Sequence, residues 1–204
     1  MPQKNTIKEY VAESYYHIYT RGINKQKIFC DAADYDYFLH LFDRYLSGKA
    51  KVSKTGVIYP NYSQELDLVA YCLMANHLHI LVFQYDNPEI IKKFMSSILT
   101  SYSKYFNKKY RRAGSVFESR YKAKRIDDDS YLIHISRYIH MNPRRWLTYK
   151  YSSLRCIFDE SPPKWLKPGI ITSQFDDRQE YIEFLEDYQD NKDSLEEIKH
   201  QLAG

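Results

Sequence analysis

The sequence has few cysteines and lacks long apolar runs. Its three cysteines, Cys30, Cys72 and Cys156, are odd in number, scattered and without C-x-x-C spacing. This pattern argues against a disulfide framework and indicates a reducing cytoplasm. The first residues, MPQKNTIKEYVAES, contain no apolar run, so we expect no secretory signal. No stretch approaches the ~20 apolar residues that span a bilayer. We therefore expect a cytoplasmic protein with no membrane partner.

The length of 204 residues, with 44% hydrophobic residues, suits one sizeable domain with or without an appendage. The segment SPPKWLKPG, which follows residue 158, has the composition of a linker. An acidic stretch with helical spacing of apolar residues follows over about 176–201. We therefore predict a domain over 1–158 and a linker with an acidic helical extension over 159–204.

The net charge of +4 is unevenly distributed along the chain. Residues 101–155 hold 14 basic and 4 acidic side chains, whereas residues 156–204 hold 5 basic and 12 acidic ones. A basic block with interleaved aromatic rings is typical of a surface that binds single-stranded nucleic acid, because rings stack on bases while cations follow the backbone. A solvated charged face is the alternative, since charge runs are commonly just that.

The order of predicted elements is β-α-β-β-α-β followed by further helices. Strands are predicted over 14–21, 66–73, 78–84 and 122–126, with helices over 31–46 and 88–109. Another helix starts after the acidic triplet 127–129 and ends before Pro143. This order predicts an α+β, ferredoxin-like antiparallel sheet with helices on one face. The helix that carries Tyr138 lies on the other, otherwise open face, which would be a platform for single-stranded nucleic acid, and an extra C-terminal helix follows.

Two histidines are placed to share one face of a strand. His77 and His79 are two residues apart, so both imidazoles project to the same side, which we expect to be exposed, while Leu78 points into the core. Two neutral imidazoles can hold a divalent cation. The alternative is that the His-x-His string is accidental and that one ring is a structural donor. Cys72 has no partner cysteine and fits a small buried apolar residue better than a zinc ligand.

A tyrosine and an asparagine are spaced by one helical turn. Tyr138 and Asn142 would share a helix face and offer a phenol and an amide oxygen. If that face met the two histidines, the residues would form a metal site beside a tyrosine nucleophile, which suits phosphoryl transfer onto tyrosine. The alternatives are a core tyrosine and an asparagine that ends its helix before Pro143.

Four longer segments, and a shorter one, resemble the REP-associated tyrosine transposases, a branch of the single-tyrosine HUH transposase superfamily. They are YHIYTRGINKQKIF (16–29), LMANHLHILV (73–82), SYSKYFNKKYRRAGSVFESRYKAKRI (101–126), YLIHISRYIHMNPRRW (131–146) and YSSLR (151–155). The resemblance covers about residues 14–158. Ala75 stands where the family often has proline, and Asn142 stands where insertion-sequence enzymes have glutamine. The shorter side chain of Asn142 requires a closer helix or a bridging water.

The resemblance implies a function and a site. By it, His77, His79 and Asn142 bind a divalent metal, Mg²⁺ or Mn²⁺, and Tyr138 is the nucleophile that cleaves single-stranded or hairpin DNA through a 5′-phosphotyrosine intermediate. The cleaved strand is then joined to another end, as in transposition. Candidate DNA contacts are Arg21, Asn24, Arg120, Lys122, Arg144 and Arg145.

Two other functions remain open at this point. A catalytically retired module could bind single-stranded nucleic acid without cleaving it. A metal-dependent phosphodiesterase could use water as the nucleophile, with Tyr138 structural. The resemblance leaves both a monomer and a homodimer open, and it implies no role for the acidic extension.

Overall fold

Four strands form one antiparallel sheet. The computed structural model describes residues 10–118 and 120–187. The strands are β1 (Ser14–Arg21), β2 (Leu66–Met74), β3 (His77–Gln84) and β4 (Lys122–Ile126), in the spatial order β2-β3-β1-β4. All three neighbouring pairs are antiparallel. Together with the helices after β1 and β3, this order confirms the predicted ferredoxin-like fold.

Two helices cover one face of the sheet. They are α1 (Ala32–Leu46) and α2 (Ile90–Lys109). The predicted N-cap of α1 is present: Asp31 accepts a bond from the Asp34 backbone N at 3.2 Å, and Asp34 accepts one from the Asp31 backbone N at 3.3 Å. The apolar faces of both helices pack on Tyr16, Ile18 and Ile80 of the sheet, and all three are buried. This layer is the larger part of the core.

The second face is also covered, contrary to the expectation that it is largely open. It carries α3 (Asp129–His140), the short α4 (Gly169–Thr172) and α5 (Arg178–Glu186). Ile135 and Ile139 of α3 pack with Cys72 and Leu81 of the sheet, and α5 joins the same buried cluster. The sheet is apolar on both faces here, so burying only one would leave Leu81 and its neighbours in water. The remainder of the helix predicted over 176–201 lies outside the described residues.

The segment predicted as a linker lies against the edge of the sheet. Leu166 forms a parallel bridge with Leu68 of β2, and the Lys167 backbone N donates to the Leu68 carbonyl at 2.8 Å. The Trp165 ring lies 5.5 Å from Phe42. The chain therefore passes along β2 before α4 and α5 return over the second face. The proposed division at residue 158 stays a prediction.

Crossing a membrane requires a helix of about 20 predominantly apolar residues, and the helices of the described residues do not meet this requirement.

Candidate active site

A two-residue turn leads into β3, the strand that carries His77 and His79. Ala75 and Asn76 join β2 to β3, and the Ala75 carbonyl accepts bonds from Ile28 N at 2.8 Å and Phe29 N at 3.0 Å. The Asn76 carbonyl accepts a bond from Gly22 N at 2.8 Å. The turn is thus held against the loop that follows β1. The side chain of Asn76 places its Oδ1 2.7 Å from Nδ1 of His77, which orients that ring.

The two predicted histidines share a face, but that face is not exposed. His77 and His79 are both on β3, and their ring centroids are 5.1 Å apart. His77 is half-buried, whereas only 5% of His79 is exposed. The expectation of an exposed pair was wrong for His79, because α3 packs over its end of the strand. Leu78 points to the opposite, buried side as predicted.

A third histidine lies beneath the pair. His17 of β1 is fully buried, and its Nε2 lies 3.0 Å from Nδ1 of His79. Its own Nδ1 has no hydrogen-bond partner among the described residues. A metal bound through His79 Nε2 requires the His79 proton on Nδ1, and that proton then has His17 Nε2 as its acceptor. His17 was not among the predicted site residues, and the signal for it was its odd-numbered position on β1, shared with Tyr15 and Tyr19.

Tyr138 and Asn142 reach the histidines from α3 and its C-terminal end. The half-buried Tyr138 ring stands edge-on to His79, with centroids 5.3 Å apart, and to His17 at 5.8 Å. Asn142 Oδ1 lies 2.9 Å from Nε2 of His77. Asn142 is not in the helix, contrary to the prediction, because α3 ends at His140 and a residue before proline avoids the helical conformation. Its shorter side chain nevertheless reaches His77 directly.

Burial controls protonation in this cluster. It lowers the pKa of His79 well below the ordinary value, with the neighbouring His17 and His77 acting in the same direction. Burial also lowers the pKa of His77, which the charge of Arg21 reinforces and the bond to Asn142 opposes. The pKa of His17 falls to about 3 through burial and then the charge of Lys124. The rings are therefore neutral near pH 7, as metal ligands must be.

The phenol of Tyr138 is not activated by these surroundings alone. Burial raises its pKa, the nearby Tyr19 raises it further, and a hydrogen bond from Asn142 lowers it. A positive charge beside the phenol would oppose the first two effects.

The donor set fits a divalent cation. His77 and His79 each have Nδ1 occupied, by Asn76 and His17. Metal binding would therefore use the two Nε2 atoms, and at His77 a cation would replace the proton that Nε2 shares with Asn142 Oδ1. Asn142 Oδ1 supplies an oxygen close to His77 Nε2. No group of three or more His, Cys, Asp or Glu side chains in residues 10–118 and 120–187 is arranged as a metal site, so the candidate depends on the amide. Two nitrogens and one oxygen leave room for solvent and a phosphate oxygen.

The predicted DNA contacts are placed unequally around this site. Arg21 pairs with His77 across the strands but forms an ion pair with Glu118, with Nε 2.7 Å from Oε2. Lys122 of β4 lies beside Tyr19, with Nζ 5.7 Å from the ring centroid. Arg144 and Arg145 are exposed just after Asn142. Asn24 is exposed in the short 3-10 turn Ile23–Lys25 after β1, and Arg120 is exposed shortly before β4. Lys124, which the sequence analysis did not select, lies opposite His17 on β4.

Comparison with known families identifies the class of protein. The model of the family described as IS200-like transposases matches residues 10–142, well over half of the chain. The chain therefore belongs to the IS200-like transposases, which are DNA-cleaving and DNA-joining enzymes of transposition. This confirms, at the level of the family, the resemblance inferred from the motifs. No curated protein sequence matches the chain.

Solved structures are similar in fold. A REP-associated tyrosine transposase bound to a REP hairpin superimposes with a TM-score of 0.54 at 12% identity, covering 81% of this chain and 92% of that one. A Deinococcus radiodurans R1 protein assigned as a transposase gives a TM-score of 0.39 at 16% identity, covering 67% of this chain and 95% of that one. The first similarity extends beyond residue 142 and supports the assignment of the fold.

Proposed function

We propose that this transposase cleaves single-stranded DNA at a metal-assisted tyrosine site and transfers the cut strand. The observation that carries the proposal is the convergence of Tyr138, His77 and His79 from two elements that are about 60 residues apart in sequence. Asn142 completes the cluster through its contact with His77. A retired binding module would not need these four side chains together.

His77, His79 and Asn142 would hold the cation, Mg²⁺ or Mn²⁺. Bound there, the cation supplies charge that polarises the scissile phosphate and favours the phenolate of Tyr138. The two imidazoles are neutral and keep their lone pairs available because burial disfavours their protonation. Nitrogen ligands suit Mn²⁺ better than Mg²⁺, so Mn²⁺ is the first ion to test.

The cleavage step is a transesterification. Tyr138 Oη loses its proton and bonds to the phosphorus, while the bond from phosphorus to the 3′ oxygen breaks. The 3′ oxygen gains a proton and leaves as a hydroxyl, and the 5′ phosphate stays on Tyr138. Attack by another 3′-hydroxyl reverses the step and joins two strands. One phosphodiester replaces another throughout, so no external energy source is required.

The substrate is single-stranded or hairpin DNA. Lys122 and Lys124 lie on the same face of the sheet as the histidines, because their strand partners are Tyr19 and His17. With Arg21, Asn24, Arg120, Arg144 and Arg145 they would provide contacts to the DNA backbone or bases. We further infer a cytoplasmic monomer or homodimer, and the finding that all three cysteines are free is in accord with a reducing compartment.

A covalent-capture experiment tests the proposal. The protein is incubated with Mn²⁺ and end-labelled hairpins that carry randomised single-stranded flanks, and products are separated under denaturing conditions. Tyr138→Phe removes the nucleophile. Tyr131→Phe is the matched control on α3, since it deletes the same atom from a tyrosine that accepts a bond from Lys124 at 2.9 Å.

The proposal predicts a protein–DNA adduct with the wild type and with Tyr131→Phe, and none with Tyr138→Phe. Cleavage without an adduct that persists in Tyr138→Phe would instead identify a hydrolase that uses water. DNA binding without cleavage in any of the three proteins would identify a binding module.

A further inference from the structure

The helix that carries Tyr138 is attached to a segment beyond the family match. That match ends at residue 142, whereas α3 is bonded on one side to Ser153 and to Tyr181 of α5. Both partner residues are buried. The bonds therefore join the helix of the proposed nucleophile to residues outside the family match: Ser153, in the YSSLR segment, and Tyr181, which lies beyond every segment of the resemblance.

A continuous buried hydrogen-bond network makes this attachment. Tyr181 Oη lies 2.9 Å from Ser136 Oγ and 2.7 Å from His140 Nδ1, so one hydroxyl joins two residues of α3. His140 Nε2 lies 2.7 Å from Ser153 Oγ, which accepts a bond from the Tyr71 backbone N at 2.9 Å. The network runs from α3 through α5 to the sheet. For convenience we refer to Ser136, His140, Ser153 and Tyr181 as the α3–α5 network.

One direction of donation satisfies each group in the α3–α5 network. Burial favours a neutral His140. Ser153 then donates to His140 Nε2 at 2.7 Å rather than to the more distant Tyr71 carbonyl at 3.2 Å, and His140 Nδ1–H donates to Tyr181. Tyr181 donates to Ser136, and Ser136 donates to the Ile133 carbonyl at 2.7 Å. Removing the Tyr181 hydroxyl would interrupt this chain in the middle and leave two buried groups of α3 without their partner.

A second contact joins the same two helices. The Arg137 guanidinium lies 3.7 Å from the centroid of the Phe184 ring and donates to the Phe184 carbonyl. Arg137 is 1% exposed, so this cation is enclosed between α3 and α5. Arg137 directly precedes Tyr138 in sequence. The contact therefore adds to the α3–α5 network next to the nucleophile.

The direction of Tyr138 depends on the rotation of α3 about its axis. Ser136 and His140 are one turn apart on the α5 side, and Tyr138 lies two residues from each, about 200° around the helix. Bonds at Ser136 and His140 therefore fix the rotation that points Tyr138 at His79 from the opposite side. A displacement of about 1 Å at a reacting group can cost up to about a hundredfold in rate.

We propose that Tyr181 is a positioning residue for DNA cleavage, which holds α3 through its hydroxyl so that Tyr138 faces the histidine pair. The proposal rests on the proposed function, since it concerns the rate at which Tyr138 attacks DNA. It assigns to the C-terminal segment a part in catalysis without contact with substrate. DNA binding does not depend on the Tyr181 hydroxyl.

The test compares tyrosine-to-phenylalanine variants of the full chain. Tyr181→Phe keeps the ring and deletes the hydroxyl. Tyr45→Phe is the matched control, because Tyr45 is also buried and bonds a serine, Ser101 Oγ at 2.7 Å, on the opposite face of the sheet. Ser136→Ala and the double variant Tyr181→Phe/Ser136→Ala remove the same bond from its other end. Two quantities are measured for each variant. One is the single-turnover rate of adduct formation at saturating DNA, and the other is the affinity for DNA.

We expect Tyr181→Phe to slow adduct formation about tenfold or more, with little change in DNA affinity, while Tyr45→Phe stays close to the wild-type rate. The fold-loss of rate in the double variant should be smaller than the product of the fold-losses in the two single variants, because both substitutions remove the same bond. A wild-type rate in Tyr181→Phe would overturn the proposal. Equal slowing in Tyr181→Phe and Tyr45→Phe would also overturn it, since general destabilisation would then be the cause.

Hydrogen exchange of the free protein separates this inference from the proposed function. If the wild type forms no adduct, the proposed function fails, and exchange of the α3 amides then decides the role of Tyr181. Faster exchange over 129–140 in Tyr181→Phe than in Tyr45→Phe would support the holding role. Equal exchange in the two variants would overturn it.

Discussion

His17 Nε2 lies 3.0 Å from Nδ1 of His79, and the two rings are nearly parallel, with an interplanar angle of 12°. Their strand partners show how this happens: Tyr19 is opposite His79, and His17 is opposite Leu81, so the two histidines are diagonal neighbours on adjacent strands. The buried ring of His17 therefore sets which nitrogen of His79 is available to a cation.

Replacing His17 should weaken metal binding before any DNA is added. His17→Phe keeps a planar ring but removes the acceptor for His79 Nδ1–H, so we expect Mn²⁺ affinity to fall about 10- to 100-fold. Isothermal titration calorimetry with Mn²⁺ measures this. His40→Phe, a change at an exposed histidine of α1, serves as the control and should bind Mn²⁺ as the wild type does. Equal affinities in the two variants would rule out the role of His17.

Glycine is required at position 22 because the loop that follows β1 folds back closely against it. A Cβ at this position would lie 2.2 Å from the Gln26 carbonyl oxygen and 2.8 Å from Ile28 Cγ2. Gly22→Ala should therefore lower the free energy of unfolding by about 1–3 kcal/mol, as overpacking does. Urea denaturation measures the change. Gly169→Ala is the control, because a Cβ there meets nothing within 4 Å, and a similar loss in that variant would contradict the steric explanation.

We expect Glu118 to compete with DNA for Arg21. The carboxylate accepts two hydrogen bonds from the guanidinium, at 2.7 and 3.1 Å. The hydrogen bonding to Arg21, and then the charges of Arg21, Lys122 and Lys25, lower the pKa of Glu118. Exposed ion pairs are worth about 0.2–1 kcal/mol, so Glu118→Gln should raise affinity for single-stranded DNA by up to about fivefold. Fluorescence anisotropy over a salt series measures the gain, which should shrink as salt rises.

The matched control for Glu118→Gln is Glu89→Gln. Glu89 is also exposed and forms an ion pair, with Lys92 at 2.6 Å, but it lies at the start of α2. We expect this variant to bind DNA as the wild type does. An equal gain in both variants would show that net charge alone, rather than release of Arg21, is responsible.

The three thiols should react at different rates with iodoacetamide. Cys30 is exposed, Cys72 is buried, and burial raises the pKa of the half-buried Cys156 to about 11. Only the thiolate reacts, so at pH 8 about one Cys156 side chain in a thousand is reactive, and this fraction should rise about tenfold per pH unit up to pH 11. Peptide mass spectrometry of the native protein gives the order. Labelling of Cys72 before Cys156 would contradict the packing of β2 under α3.

Local sequence signals predicted the elements well. Alternation and turn residues placed β1 at its observed bounds, and Asp31 was recognised as the cap of α1. These features depend on neighbours a few residues away. The prediction of an otherwise open second face was wrong, because apolar residues of α4 and α5 also cover it. No short-range sequence pattern connects these helices to the sheet. The predicted helical conformation of Asn142 was wrong, because a proline also disfavours the helical conformation of the residue that precedes it.

The candidate site was only partly predictable for the same reason. The spacing of His77 and His79 places them on one face without further knowledge. His17 required the register of β1 against β3, and the pairing of Arg21 with Glu118 joins residues 97 positions apart. Burial of His79 required the position of α3. Each omission is a contact between elements that are distant in sequence.

The bond between Tyr181 and α3 also has a consequence for the newly made protein. α5 leaves the ribosome after β3 and after α3. The bond between Tyr181 and the helix of Tyr138 can therefore form only when nearly all of the described chain has emerged. A prematurely terminated product that ends after Asn142 would contain all four proposed active-site side chains but would lack Tyr181. Under the proposed positioning role, we expect such a product to form the DNA adduct more slowly than the full chain.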